Sequence, residues 1–206
     1  MDASGDVLTS AVPRTVPAFH RTLDALLALQ ALTEKAKAGK LDPEETGKYL
    51  TARIDLGQLD FAAARKEFAA VADKLGADQR KAIEAKLVDL EVQSVLAKQT
   101  QMRGQPREAI EDALAEDFGR MLTEGKIPSD AHALNFWLIL HNAARRRGDD
   151  AMLERARNEL TALGARNTQL QRRIDALLNP QQRGTVPATP VRPAGGGNQV
   201  PPRKER

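Results

Sequence analysis

The chain has 206 residues, of which 41% are hydrophobic and 29% charged but only 3% aromatic, so one domain with tails fits and its core must be built from Leu, Ala, Val and Ile. The formal charge of +3 is concentrated at one end. From Pro180 onward Arg183, Arg192, Arg203, Lys204 and Arg206 oppose Glu205 for a net +4, leaving −1 on the remainder and no broad basic field to steer nucleic acid. There are no cysteines, which removes disulfides, thiolate metal sites, cysteine nucleophiles and redox pairs.

Along the chain, helix formers dominate and runs of β-branched residues are scarce, which predicts an all-α fold. The first 15 residues contain no apolar run of signal-peptide length, and no later stretch approaches a membrane span, so the chain reads as soluble. Its compartment is undetermined, cytoplasmic by default and periplasmic if a leader was removed. Residues 1–16 read as a loose lead-in. Phe19, Leu23, Leu26 and Leu27 then follow a three-and-four spacing that predicts a helix from Thr15 to Gly39. In LDPEE, Asp42 is a cap, Pro43 suits the first helical position, and Glu45 completes a capping box for a helix ending near Ile54.

Asp60 is placed to cap the third helix, whose buried face is Phe61, Ala64, Phe68, Val71 and Leu75 before Gly76. Asp78 is expected to start a longer helix through Ile83, Leu87, Leu90, Val95 and Leu96 that stops near Gly104. Pro106 opens the next, through Ile110, Leu114 and Met121 to Gly125. Pro128 and Ser129 introduce NFWLILHNAARRRGDD, whose apolar part, Phe136 to Leu140, predicts an enclosed helix anchored by Trp137. Its later part, His141 to Arg147, is expected to leave the core as a helix end and partner-facing rim. Asp149 or Asp150 caps a helix ending near Gly164, and Asn167 one that ends at Asn179-Pro180. About eight helices on short links predict stacked antiparallel hairpins over residues 17–179, as a short solenoid or irregular bundle. The rest, 180–206, carries six prolines and four glycines and predicts a disordered basic tail, with Pro187, Pro190 and Pro193 at the polyproline period.

Candidate chemistry is sparse. His20, His132 and His141 lack metal-ligand spacing and read as surface or half-buried imidazoles. The pairs Glu44-Glu45, Glu111-Asp112 and Asp149-Asp150 sit near helix starts, where the dipole favours negative charge, and neighbouring side chains about 100° apart do not converge on one atom. Asp2, Ser4 and Asp6 begin like a calcium loop, but Pro13 stands where its bidentate Glu belongs. The only glycine run, Gly195 to Gly197, lies in the tail and cradles no phosphate. Arg145 to Arg147, Arg155, Arg157, Arg166, Arg172 and Arg173 form a local arginine excess, but carboxylates interrupt it and no aromatic is interleaved for base stacking. No catalytic, cofactor or metal residue is assigned, and the chain reads as a non-enzyme.

Three breaks share a form: GQLDFAAARKEF from Gly57, GQPREAIEDAL from Gly104 and GDDAMLERARNEL from Gly148, spaced 47 and 44 residues apart. The last two resemble the tetratricopeptide repeat, with Leu96, Gly104 and Ala109, then Trp137, Leu140 and Gly148, at its small and apolar packing positions. The 34-residue period of that family is not kept. DASGDVLTSAVPRTVPAFHRTLDAL, from Asp2 to Leu26, resembles the end of a thioredoxin domain. AKAGK, LGQLDFAAA, KLVDLEV and GKIPSDAHALNFW resemble the helical extensions that some bacterial thioredoxin-like proteins carry. That family's Cys-x-x-Cys pair has no counterpart here, so the resemblance transfers no catalytic residue and implies the non-catalytic part of such a protein, or a chain that begins late. The expected function is a protein-interaction or scaffold module with a protein or peptide partner. The alternative is an accessory domain of a thioredoxin-like disulfide oxidoreductase separated from its catalytic half.

Overall fold

The computed structural model of the protein describes residues 16–178, and the expected lead-in before Val16 and the Pro-rich tail lie outside them. Among the described residues there are eight α-helices, one short 3-10 helix and no strand. The α-helices are α1 Val16–Lys37, α2 Pro43–Asp55, α3 Phe61–Val71, α4 Ala77–Gln101, α5 Arg107–Thr123, α6 Asp130–Arg147, α7 Asp150–Arg166 and α8 Thr168–Leu178. The expected all-α architecture is therefore what the chain adopts.

Local chemistry sets most of these boundaries. The Asp42 carboxylate accepts from Glu45 N at 2.7 Å while Glu45 reaches back to Asp42 N, closing the expected capping box before Pro43. Asp60 accepts from Ala63 N at 2.8 Å and Asp149 from Met152 N at 3.0 Å, each satisfying an orphan amide of a helix start. Asn167 does the same for Gln169 and Leu170. Three expected boundaries differ. α3 ends at Val71 rather than at Gly76, and the 3-10 turn Ala72–Lys74 carries the chain on to Leu75, which is buried outside the helix. Gly76, not Asp78, is the cap residue of α4, and Asp78 sits inside its first turn, where the dipole favours it. Gly164 does not end α7 but lies within it, because its missing side chain makes room for α8. A Cβ there would stand 2.7 Å from Gln171 Oε1.

The inter-helix contacts give the order of the stack. Arg53 meets Glu67 between α2 and α3, Lys98 meets Asp117 at 2.5 Å between α4 and α5, and Asp130 meets Arg166 at 3.0 Å between α6 and α7, so each of these pairs runs antiparallel. Across hairpins the sense reverses. Gln79 donates to Glu44 O at 2.9 Å and Lys86 pairs with Asp55, so α2 and α4 run parallel. Ser129 meets Asp89 and His132 meets Gln93, so α4 and α6 do too. Hairpins α2–α3, α4–α5 and α6–α7 thus stack with their first helices side by side, α4 packing on both helices of the hairpin before it and α6 likewise. The helix α8 closes the end on α7, and α1 packs on α2. Gly57, Gly104 and Gly148, the recurrent glycines of the sequence, all sit in the turn within a hairpin with φ of +67°, +92° and +68°.

Burial follows the stack in two clusters. The smaller joins Leu50, Ile54, Leu59, Ala64, Leu75, Ile83 and Leu87. The larger joins the second half of α4, from Val92, to α5, α6, α7 and Ile174 of α8. Trp137 is 2% exposed, edge-on to Phe136 with ring centroids 5.2 Å apart, and Phe136 packs on Phe118 at 4.7 Å. The anchor expected of Trp137 is in place.

Candidate interaction groove

A groove of about 530 Å³ lies among α4, α6 and α8, with the start of α5 also lining it. Leu96 of α4, Leu138 and Ile139 of α6 and Leu177 of α8 supply its apolar surface. Around them stand the amides Gln99, Asn135 and Asn142, with Arg107, Glu111 and Arg173. Asn135 and Asn142 are two helical turns apart and flank Leu138 and Ile139, so one face of α6 alternates amide, aliphatic and amide groups. That face is why Leu138 and Ile139 are only half-buried. The sequence expectation of a helix enclosed on every side holds for Phe136, Trp137 and Leu140 but not for these two.

Among the described residues Gln99, Asn135 and Arg173 have no hydrogen-bonding or ionic partner, so their donors and acceptors are free for a ligand. Arg107 is held through Nε by Glu111 at 2.8 Å. Burial pushes the Glu111 carboxyl up, but the hydrogen bonds from Arg107 and Arg146 outweigh it and hold the group below the ordinary carboxylate range.

His141 forms part of the groove wall but is only 5% exposed, which corrects the expectation that α6 leaves the core at this residue. Ala143 and Ala144 are buried as well, because α5 and α7 pack along α6 into its last turns. Burial pushes the imidazole below its usual range, with Asn142 opposing the effect and Arg157 and Arg145 adding to it, so the neutral ring is favoured. Its Nδ1 lies 3.4 Å from Asn142 Oδ1, and its buried Nε2 has no partner among the described residues.

The arginine run is not a free rim. Arg146 forks to Glu111 and Asp112 of α5 at 2.8 Å each, and Arg147 reaches Asp112 at 3.5 Å and Glu116 at 3.6 Å. Glu111 and Asp112, read from sequence as helix-start charges, therefore lie past the first turn and hold the α5–α6 seam. Of the three arginines, Arg145 alone lacks a partner among the described residues. The Glu44-Glu45 pair, by contrast, is divided, Glu44 turning to Lys48 and Glu45 to Lys35.

A larger cleft of about 770 Å³ opens beside α4 between the α2–α3 turn and the start of α6. Its charged and polar groups are largely engaged with each other, Lys86 with Asp55 and Gln93 with His132 at 3.1 Å. Asp89 accepts from both Ser129 N at 2.8 Å and Ser129 Oγ at 2.7 Å, which caps α6 from α4 in place of the serine's own hydroxyl. The hydroxyl donates to the carboxylate directly and His132 faces Gln93, so this serine, histidine and aspartate are arranged for capping. Among the described residues no three His, Cys, Asp or Glu side chains gather as a metal site, and no helix is long and apolar enough to cross a membrane.

Of the groove residues, Arg173 enters the sequence reading only as part of the arginine excess, and Gln99, Asn135 and Asn142 are not assigned to a site there. The available signal was the pair of amides seven residues apart on an otherwise apolar helix. No protein-family model matches the chain, and no curated protein or solved structure is significantly similar to it.

Proposed function

We propose that the protein is an interaction module that takes an extended segment of a partner protein into the α4–α6–α8 groove. The observation that carries this reading is the set of unpartnered amides beside an aliphatic floor. Amides both donate to and accept from a peptide backbone, while the aliphatic floor takes its side chains. The stack supports it as a tetratricopeptide-like row of hairpins whose first helices present one continuous surface. A protein segment fits better than nucleic acid, because Arg146 and Arg147 are already matched by α5 carboxylates and no aromatic stands in the groove for base stacking.

Selection of a random peptide-display library on the intact chain tests the reading. Enriched peptides are expected to lose at least about tenfold in affinity with Leu138→Arg or Asn135→Ala, changes at a floor and a rim position. Binding is expected to survive Gln93→Ala in the larger cleft. Peptides indifferent to Leu138 and Asn135, or a selection that yields none, would remove the groove from consideration.

A further inference from the structure

The N-terminal end of the stack is apolar where the C-terminal end is not. On α1, Val16, Phe19, Leu23 and Leu27 are 69, 54, 41 and 59% exposed. At 100° per residue they fall within an arc of about 80° and form a stripe about 16 Å long. At the opposite end α8 buries Ile174 and turns Thr168, Gln169, Arg172 and Asp175 outward. A stack of helical hairpins needs a polar outer face at both ends, so the α1 stripe requires a cover.

The geometry leaves room for one. α1 has 22 residues and α2 only 13, and the two are tied near their shared turn by Lys35 and Glu45. The first turns of α1 therefore project beyond the end of α2. A helical overhang of that size is marginal in water without packing.

We infer that the cover is the α1 helix of a second copy, paired antiparallel. The stripe is complementary to itself on reversal: Val16 falls over Leu27 of the second copy and Phe19 over its Leu23. His20 and Asp24 lie along one edge of the stripe, and the two-fold axis of such a pair sets each His20 against the other copy's Asp24. The stripe offers on the order of a few hundred Å² per chain, below the ~800 Å² per partner of a standard interface, so the dimer is weak and reversible.

Sedimentation velocity of the full chain from about 1 to 300 µM, the range in which weak reversible dimers form, tests it. The expected mass climbs from 22.5 kDa toward twice that value with concentration. Leu23→Asp, with unchanged helical circular dichroism, is expected to weaken association at least about tenfold. His20→Glu weakens it by repulsion, and Asp24→Lys added to His20→Glu restores it, a rescue that nonspecific adhesion does not give. A constant mass of 22.5 kDa, a dimer indifferent to Leu23→Asp, or a dimer that forms only after residues 1–13 are deleted would overturn the inference. The last result would make the chain's own N-terminal segment the cover.

Discussion

Glu111 accepts from Arg107 on its own helix and from Arg146 on the next, so one carboxylate joins two helices. Burial alone would raise its pKa, but the two arginines reverse the sign and hold it below 4.5. A carboxyl depressed in the folded state contributes stability that is present above its unfolded value and lost as pH falls through its folded one. Arg146→Gln is therefore expected to cost about 1–3 kcal/mol at neutral pH. Urea unfolding at pH ~7 and ~3 should show the gap between wild type and variant narrowing on the acid side, the direction in which Glu111 takes up its proton. A gap unchanged between the two pH values would mean that Arg146 acts through packing alone. The run of arginines showed that charge would collect at the end of α6. Its match to Glu111, Asp112 and Glu116 depends on antiparallel register, which composition does not reveal.

At the scale of elements, the same distinction between local and distant causes decides what could be read. Asp42, Asp60, Asp149 and Asn167 cap helices through amides two or three residues away, so they were legible in the chain. Gly164 was misleading, because its reason is Gln171 on another helix. His141 was misplaced since its burial is the work of neighbouring helices. Gly148 shows where the local rule is strict. It holds φ at +68° between α6 and α7, with open space around its Cα, so only the backbone opposes a side chain. Gly148→Ala should cost about 1 kcal/mol, read as a lower thermal midpoint, whereas Gly76→Ala, with no positive φ and equal space, should cost less. Equal losses at both sites would refute the backbone explanation.

For the whole molecule, hairpins that touch only their neighbours make stability a chain of adjoining contributions. The larger cluster holds Trp137, Phe136 and Phe118, while the smaller holds no fully buried aromatic. Amides of α2 and α3 are therefore expected to exchange hydrogen faster than those of α6 and α7, by mass spectrometry of the intact chain. Uniform protection would show that α4 couples both clusters into one unit. The sequence revealed the hairpins through their recurrent glycines. The groove was hidden, since its walls come from four helices whose lateral order no linear pattern states.

The smaller cluster has one more property: all its buried members lie between Leu50 and Leu87, in one unbroken stretch of chain. A ribosome would release that stretch well before Trp137 is made. The nascent protein can thus bury its first apolar surface while most of α5 to α8 is still unsynthesised, leaving the far half of α4 as the surface on which the later hairpins condense.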